Sequence, residues 1–413
     1  MLINFSIQNF GSIKEKQTLS FEADKLIHLE DYYVIHTNGL RLLKLGLIYG
    51  ANASGKSTIL KALDFLRTMV LYPKNHKKET FDLEPFKFDE HTPCQNTFFE
   101  IALLQNEVRY LYELELNNYA IVREGLYAYN PKKSTIFIRT TNLESQYTKI
   151  EFGNKIKVSK SAEETLTNNT LWNNTVLGGF LKTNIHIVAL KEVTDWFSNY
   201  LNSSIMSHEK FSFYADMFVE KSEIQKQSII EILRKADFNI SNIKIERSPT
   251  GLPDLYSNGL PTTIEHAVNN NKYALSFEKE SQGTQRYYYF AGILFLLKNN
   301  SMLFPIDELE SSLHPDLFIH FLLSFLSNSK KSQIIATTHN REILNNKDIF
   351  RNDAIWITDK RNDSCATELY SLADFDTSVI RDTSNIYNAY KIGKLGGIPN
   401  LGDYYINIED ENE

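Results

Sequence analysis

The hydrophobic positions of the chain follow two different periods within the first 71 residues. Residues 2–7 alternate with a period of two, which predicts a strand, and residues 18–21 are its expected partner. Residues 42–49 are almost entirely apolar, which is typical of a strand buried on both faces. Residues 56–71 carry apolar side chains at steps of three and four, which predicts an amphipathic helix. Strands wrapped around one strong helix are therefore expected here.

The rest of the chain returns to strands and then mixes strands with helices. Residues 98–103, 108–116 and 136–138 predict strands, and Asn117-Asn118 is a plausible hairpin turn. A helix is expected from an N-cap at Ser222 through residue 236. Further on, the pattern predicts helices over 283–297 and 315–326 and strands over 302–306, 333–337 and 354–358. These elements predict an α/β fold with an antiparallel β subdomain and a mainly helical segment at 160–270.

Composition changes this picture little. The 413 residues are 42% hydrophobic and 23% charged, which is ordinary for a globular protein. No run of 18 apolar residues occurs, so we expect no membrane partner or span. Cys94 and Cys365 are the only cysteines, which excludes a disulfide framework and favours a cytoplasmic protein. The net charge of −7 gives no overall indication of nucleic-acid binding.

The clearest chemical signal lies between the strand at 42–49 and the helix at 56–71. It fits the G-x-x-x-x-G-K-[ST] pattern of a phosphate-binding P-loop. Glycines let the backbone curl so that its N–H groups point at phosphate oxygens, and the helix that begins here adds its positive end. We expect Lys56 to reach the β- and γ-phosphates of a nucleotide and the Ser57 hydroxyl to bind Mg²⁺. The nucleotide-binding residues predicted are Gly50, Ala51, Asn52, Ala53, Ser54, Gly55, Lys56, Ser57 and Thr58.

A second signal is an apolar strand that ends in two acidic residues. Such a strand delivers Asp307 to the Mg²⁺ that the P-loop serine binds, and Glu308 can polarise a water for attack on the γ-phosphate. Pro305 is unusual inside a strand, and it argues for an edge strand or a local break.

Two weaker features each have an ordinary explanation. His339 follows the apolar strand at 333–337, where ligands bind in open α/β sheets, so it is a candidate γ-phosphate contact. A histidine satisfied by the local backbone is the alternative. Ser281 and Gly283 precede a predicted helix and can form a second anion site. A plain N-cap with a flexible turn is the alternative there.

The order of these features resembles the ABC ATPases, and within them the SMC/RecF-type branch. Residues 7–13 are similar to the N-terminal strand and turn of that branch, and residues 312–315 resemble its D-loop. The resemblance covers most of the chain outside 160–270. It is closest to the compact AAA-type ABC ATPases of bacterial defence operons, such as the AriA subunit of the PARIS system and the RloA-like and AbiL-like ATPases.

This resemblance implies an ABC-type P-loop NTPase head that hydrolyses ATP and closes as a dimer over two nucleotides. It implies an N-terminal lobe at 1–159, a mainly helical insertion at 160–270 and a C-terminal lobe at 271–413. Ser281 and Gly283 would be the signature motif, which caps the γ-phosphate of a second subunit. Gln282 and Glu280 depart from the family pattern there, so we expect this capping to be looser. Gln95 is the candidate Q-loop glutamine near Mg²⁺.

Three functions fit these features to different degrees. The leading hypothesis is an ATPase that senses or gates. It would be the ATPase subunit of an anti-phage defence system and would control a separate effector protein. A RecF-like or SMC-like ATPase that handles DNA is the alternative, and the lysine-containing segments 74–78 and 155–160 are its only candidate contacts. A transporter subunit fits less well. The Asp374-x-Asp376 spacing is read as a solvated loop rather than a metal site.

The segment at 160–270 is the predicted effector surface, because it departs from the shared ATPase pattern and is rich in aromatic residues. Exposed aromatic side chains often anchor interfaces. The alternative is that they form a small helical core. The aromatic residues concerned are Trp172, Trp196, Phe197, Tyr200, Phe211, Phe213 and Tyr214.

Overall fold

The structure, a computed structural model, describes residues 1–207, 209–245, 261–361, 363–375 and 386–402. Its strands are β1 (Leu2–Gln8), β2 (Gln17–Ser20), β3 (Val34–Thr37), β4 (Leu40–Leu43), β5 (Leu45–Gly50), β6 (Thr97–Gln105), β7 (Val108–Leu116), β8 (Ile121–Tyr129), β9 (Lys133–Asn142), β10 (Tyr147–Phe152), β11 (Asn242–Ile245), β12 (Thr262–Val268), β13 (Asn271–Ser276), β14 (Leu303–Ile306), β15 (Gln333–Thr337), β16 (Ile355–Lys360) and β17 (Thr367–Ser371).

The helices complete a mixed α/β fold. They are α1 (Glu30–Tyr33), α2 (Lys56–Leu71), α3 (Lys160–Asn169), α4 (Val176–Leu181), α5 (Val188–Asp195), α6 (Phe213–Lys221), α7 (Glu223–Lys235), α8 (Gln282–Asn299), α9 (Pro315–Asn328) and α10 (Ile386–Lys391). The predicted helices at 56–71 and 222–236 are confirmed, and the Ser222 side chain caps α7 by accepting from the Gln225 N–H. No helix in the described parts of the chain is long and apolar enough to cross a membrane.

A seven-stranded antiparallel sheet carries the N-terminal strand. Its order is β10-β9-β8-β7-β6-β1-β2, so β1 pairs with β6 on one side and β2 on the other. Asn117 lies in the turn between β7 and β8, where its side-chain oxygen accepts the N–H groups of Tyr119 and Ala120. This asparagine side chain replaces backbone acceptors in the turn. The expected antiparallel β subdomain is therefore present.

The second large sheet has the order β14-β15-β5-β16-β17, and only β17 runs antiparallel. Strand β5 is central and wholly buried, which explains its unbroken apolar sequence. Pro305 lies in β14 at the edge of this sheet, so the edge position that its lack of an N–H predicted is confirmed. The carboxyl ends of β14, β15, β5 and β16 therefore meet at one edge.

The single strand predicted over 42–49 is wrong. The structure divides it at Lys44 into β4, which pairs with β3, and β5, which enters the parallel sheet. Lys44 is buried, and its ammonium donates to the carbonyl of Leu326 at 3.0 Å. This anchor holds the chain where it leaves one sheet for another, and an apolar pattern alone cannot show such a crossing.

The aromatic residues of the central segment do not form the exposed surface that was predicted. Trp196, Phe197 and Tyr200 are at most 6% exposed. The Phe197 ring packs edge-on against Tyr112 of β7 at 6.0 Å, and the Tyr200 hydroxyl donates to the side chain of Gln333 at 2.9 Å. These residues join the shared core of both sheets because one turn of π-helix at 196–200 turns them inward. Phe213 alone of the set is largely exposed, at 64%.

Candidate functional site

The glycine-rich turn between β5 and α2 requires its glycines. Gly50 has a φ of +155° and Gly55 a φ of +103°. A Cβ on Gly50 would lie 2.2 Å from the Thr358 hydroxyl, and one on Gly55 would lie 2.2 Å from the Thr367 hydroxyl. Both contacts are far inside van der Waals distance, so only glycine lets the loop pack against β16 and β17. The loop therefore curls tightly at the amino end of α2.

The ammonium of Lys56 lies inside this curl. Its Nζ donates to the carbonyl of Gly50 at 2.9 Å and to that of Ala51 at 3.0 Å. Burial lowers the pKa of Lys56, while the charges of Asp307 and Glu308 act in the opposite direction. The loop thus holds a cation beside the free N–H groups of the helix amino end, which is an arrangement that suits an anion.

Ser57 and Asp307 meet although 250 residues separate them in sequence. The Ser57 hydroxyl lies 3.0 Å from both carboxylate oxygens of Asp307. The parallel pairing β14-β15-β5 brings this about, because it places the end of β14 near the start of α2. A hydroxyl and a carboxylate are hard oxygen donors, and Mg²⁺ prefers such ligands.

Glu308 follows Asp307 with a left-handed backbone, at a φ of 47°. Its N–H donates to the hydroxyl of Thr337 at 2.8 Å. Non-glycine residues rarely adopt this conformation, and such residues cluster at functional sites. Glu308 is half-buried, and its charge acts on Lys56 within the site.

His339 follows β15 on the same edge of the sheet. Its backbone N–H donates to Oε1 of Glu310 at 2.5 Å. Desolvation lowers the pKa of His339, and the Lys56 charge lowers it further, while the charges of Glu310, Glu308 and Asp307 oppose this shift. A neutral imidazole can both donate and accept a hydrogen bond. The histidine side chain is exposed at the rim of the site.

Ser281 and Gly283 begin helix α8. The Ser281 hydroxyl accepts from the Thr284 N–H at 3.1 Å, so Ser281 is the N-cap of the helix. A Cβ on Gly283 would lie 3.2 Å from the carbonyl of Ser312. The ordinary N-cap interpretation is thus present in the structure, and a role of Ser281 toward a second subunit stays a prediction.

Gln95 and Asp374 are not part of this cluster in the described chain. In the described chain, Gln95 is exposed and its hydrogen bonds are with Thr92 and Asn9. Its role near Mg²⁺ stays a prediction. Asp374 accepts the N–H of Ser371 in a capping box, and Asp376 lies outside the described residues.

Sequence reasoning missed several groups that shape the site. The Thr337 hydroxyl donates to Oδ1 of Asp307 at 2.6 Å. Behind the loop, Thr367 donates to the Ser54 carbonyl at 2.8 Å. Arg286 on α8 is buried between the rings of Phe211 and Phe290.

Burial lowers the pKa of Arg286 to about 10, and the charges of Glu310 and Glu308 are among those that oppose this shift. Sequence reasoning could have found Thr337, because it is a hydroxyl residue at the end of the strand that lies next to the acidic strand. Arg286 carried a weaker signal, because Phe290 lies one turn further along α8 but Phe211 lies outside that helix, about 75 residues earlier in the sequence.

A glycine-rich loop between a buried parallel strand and a helix, with an acidic strand end beside its serine, defines a P-loop nucleotide-binding domain. The chain belongs to the family described as "AAA domain, putative AbiEii toxin, Type IV TA system", whose model matches residues 47–345. It is therefore an ATPase-like domain of the AAA type. A comparison with curated proteins finds no match.

Several solved structures show a weak likeness to the chain. One is the SMC head domain from Thermotoga maritima, at 13% identity and a TM-score of 0.42, covering 90% of this chain and 98% of that one. Another is the Smc head domain bound to the C-terminal domain of ScpA derived from Pyrococcus furiosus, at 11% identity and a TM-score of 0.43. That alignment covers 90% of this chain and 96% of the other. The family match and the geometry of the site define the class of this chain.

Proposed function

We propose that the chain binds ATP with Mg²⁺ and hydrolyses it to ADP and phosphate. The observation that carries this proposal is the meeting of Ser57 and Asp307 at 3.0 Å beside the curled loop that encloses Lys56. In P-loop proteins the serine of the loop and an aspartate at a strand end together hold the Mg²⁺ that takes part in phosphoryl transfer. The family match adds nucleotide binding as the expected property.

Each residue of the site has a role in this mechanism. The backbone of the loop and Lys56 bind the β- and γ-phosphates. Ser57 and Asp307 would hold Mg²⁺, which neutralises charge that develops on the phosphates. Glu308 orients a water for attack on the γ-phosphate and accepts its proton. His339 donates a hydrogen bond to the γ-phosphate from the far side of the site.

The active form in this proposal is a dimer with ATP between the subunits. Ser281 and Gly283 of one subunit would then close on the γ-phosphate bound by the other. The exposed start of α8 supports this, because Ser281 and Gln282 face solvent in the single chain. Gln282 stands where the family has glycine, so its side chain also enters the interface and weakens the closure.

The biological role that we propose is to sense or gate, with ATP binding passed on to a separate effector protein. The family description names a putative toxin of a Type IV toxin–antitoxin system. The support for a role in anti-phage defence is the resemblance of the sequence motifs to defence ATPases such as the PARIS, RloA-like and AbiL-like proteins. Cys94 and Cys365 are free thiols, which fits a reducing cytoplasm.

The experiment purifies the wild-type chain and its Glu308→Gln variant, each with the product of the neighbouring gene. The variant should bind ATP, hydrolyse it at least 100-fold more slowly and retain the partner with ATP but not with ADP. Lys56→Ala, which should bind ATP at least tenfold more weakly, is the matched negative control. Equal turnover in wild type and Glu308→Gln would contradict the catalytic role of Glu308.

The outcome for the partner separates the two biological functions. ATP-dependent retention of a neighbouring gene product supports the gated effector. If no partner is retained and the chain binds DNA with a steep salt dependence, the effector proposal is wrong and the DNA-handling alternative replaces it. The exposed lysines Lys77 and Lys78 are the first positions to change in that case.

A further inference from the structure

Glu310 lies two residues after Glu308, in the turn that joins β14 to α9. Three hydrogen bonds tie residues 308–310 of this turn to the end of β15 and the residues after it. The Glu308 N–H donates to the Thr337 hydroxyl, and the Leu309 N–H donates to the Thr337 carbonyl at 3.1 Å. The third joins the Glu310 carboxylate to the backbone N–H of His339 at 2.5 Å. Only this third bond ends at the histidine.

A carboxylate that accepts a backbone N–H makes a short and strong hydrogen bond. It fixes the position of the His339 backbone and therefore the origin of its side chain. His339 is exposed and lies two residues past the end of β15. The buried Thr338, whose N–H donates to the Ile48 carbonyl at 3.0 Å, holds the backbone before it, and the hydrogen bond to Glu310 holds His339 itself. A displacement of about 1 Å at a reacting centre can lower a rate by a large factor.

The second oxygen of Glu310 argues that this carboxylate is not kept for stability. Oε2 is buried and has no hydrogen-bond partner in the described chain. The Tyr49 hydroxyl, at the end of β5, is likewise buried without a partner there. Burial raises the pKa of Tyr49, and the Glu310 charge raises it further, so the two groups lie near each other. An unpaired buried carboxylate oxygen destabilises a fold.

From this geometry we propose that Glu310 is a positioning residue for ATP hydrolysis: its carboxylate holds His339 in place for the γ-phosphate and thereby links the two strand ends of the site. The inference rests on the proposed function, since it assigns Glu310 a part in that reaction. Glu310 acts through the histidine and does not itself touch the reacting atoms.

The test measures steady-state ATP turnover, ATP affinity and thermal stability for four variants: Glu310→Ala, Glu310→Gln, His339→Ala and the double variant Glu310→Ala/His339→Ala. Glu310→Ala should lower kcat roughly 10- to 100-fold with ATP affinity nearly unchanged, since a charge-assisted hydrogen bond is lost. Glu310→Gln keeps an oxygen acceptor for the His339 N–H and should retain most of the turnover. Neither change should lower the melting temperature.

The double variant is the decisive measurement. If Glu310 acts through His339, the double variant should be no slower than His339→Ala alone, because coupled residues are not additive. Glu342→Ala, an exposed carboxylate three residues after His339, is the matched control and should turn over ATP normally.

Some results would contradict only the role of Glu310, and others would contradict the proposed function itself. Normal ATP turnover in Glu310→Ala, together with impaired turnover in His339→Ala, contradicts the role of Glu310 but not the proposed function. The same holds if the fold-decrease in turnover of the double variant equals the product of the two single decreases. No ATP turnover by the wild-type chain, or normal turnover in Glu308→Gln, contradicts the proposed function itself.

Discussion

The Thr337 hydroxyl donates to Oδ1 of Asp307 at 2.6 Å and at the same time accepts the N–H of Glu308 at 2.8 Å. One side chain on β15 thus sets the orientation of both acidic residues that end β14. Since Thr337 is wholly buried, no water can take over either hydrogen bond in the folded protein. Thr337 therefore holds the strand end at which Asp307 contacts Ser57.

Replacing Thr337 with valine keeps the shape of the side chain and removes both hydrogen bonds. We expect kcat to fall about 10- to 100-fold, because a carboxylate loses a donor and a buried N–H loses its acceptor. Phosphate release at saturating ATP and Mg²⁺ measures this. Thr338→Val is the control, since Thr338 is equally buried and its hydroxyl bonds Asn340 instead. Equal activity of both variants would show that Thr337 does not orient the acidic pair.

Lys56 and Glu308 should separate ATP binding from ATP cleavage. Lys56→Ala removes the cation inside the loop, so ATP affinity should fall by at least tenfold. Glu308→Gln leaves that cation in place, so its ATP affinity should stay within a few-fold of wild type. Equilibrium binding of a fluorescent ATP analogue measures both. Lys61→Ala, an exposed lysine on the same helix, should bind normally, and weak binding by this control would point to damage to α2 instead.

Closure of two subunits over ATP should depend on the start of α8. In the Glu308→Gln background, ATP should convert the chain to a dimer in sedimentation experiments. Adding Ser281→Arg should abolish this, because a bulky cation would occupy the place where the N-cap meets the second nucleotide. Ser301→Arg, just past the other end of α8, is the control and should still dimerise. A chain that stays monomeric with ATP bound would rule out shared sites.

A buried carboxyl far from the loop should make stability depend on pH. Burial raises the pKa of Glu124 from 4.5 to about 7, although Arg139 and the Val176 N–H oppose the shift. Because the folded-state pKa is the higher one, its stabilising contribution is complete below pH 4.5 and is lost as the pH rises to 7.

The Glu124→Gln variant cannot ionise at this position. Wild type should therefore lose up to about 3 kcal/mol of stability relative to the variant between pH 5 and pH 8. Urea unfolding at several pH values measures the difference. A constant difference across this range would mean that Glu124 stays charged in the folded protein.

Local sequence patterns were sufficient to predict the structure wherever one segment determines its own conformation. The loop, the helix after it and the acidic strand end follow from residue types and spacing, and the structure places Ser57 and Asp307 together. Even the edge position of β14 followed from one proline, because proline lacks the N–H that a central strand needs.

The remaining features depend on neighbours that are distant in sequence. Lys44 interrupts an apolar run, and its ammonium donates a hydrogen bond to the carbonyl of Leu326, which is 282 residues away. Trp196 was expected on the surface, yet a π-helical turn directs it into the core. Thr337 stands beside Asp307 only because β14 and β15 pair in one register. No local period encodes such contacts, so sequence reasoning could not find them.

The edge strand β14 does not present an open edge. The Ile205 N–H donates to the carbonyl of Pro305 at 2.9 Å, and the Asp307 N–H donates to the Ile205 carbonyl at 2.8 Å. This same segment is fastened to α2, since the Arg67 side chain donates to the Leu201 carbonyl and Asp64 accepts the Ser204 N–H. Ile205 therefore covers the outer edge of β14 and prevents another strand from pairing beside Asp307 and Glu308. Residues 201–205 thus also join the P-loop helix α2 to the acidic strand β14, so we expect a displacement of α2 to shift β14 as well.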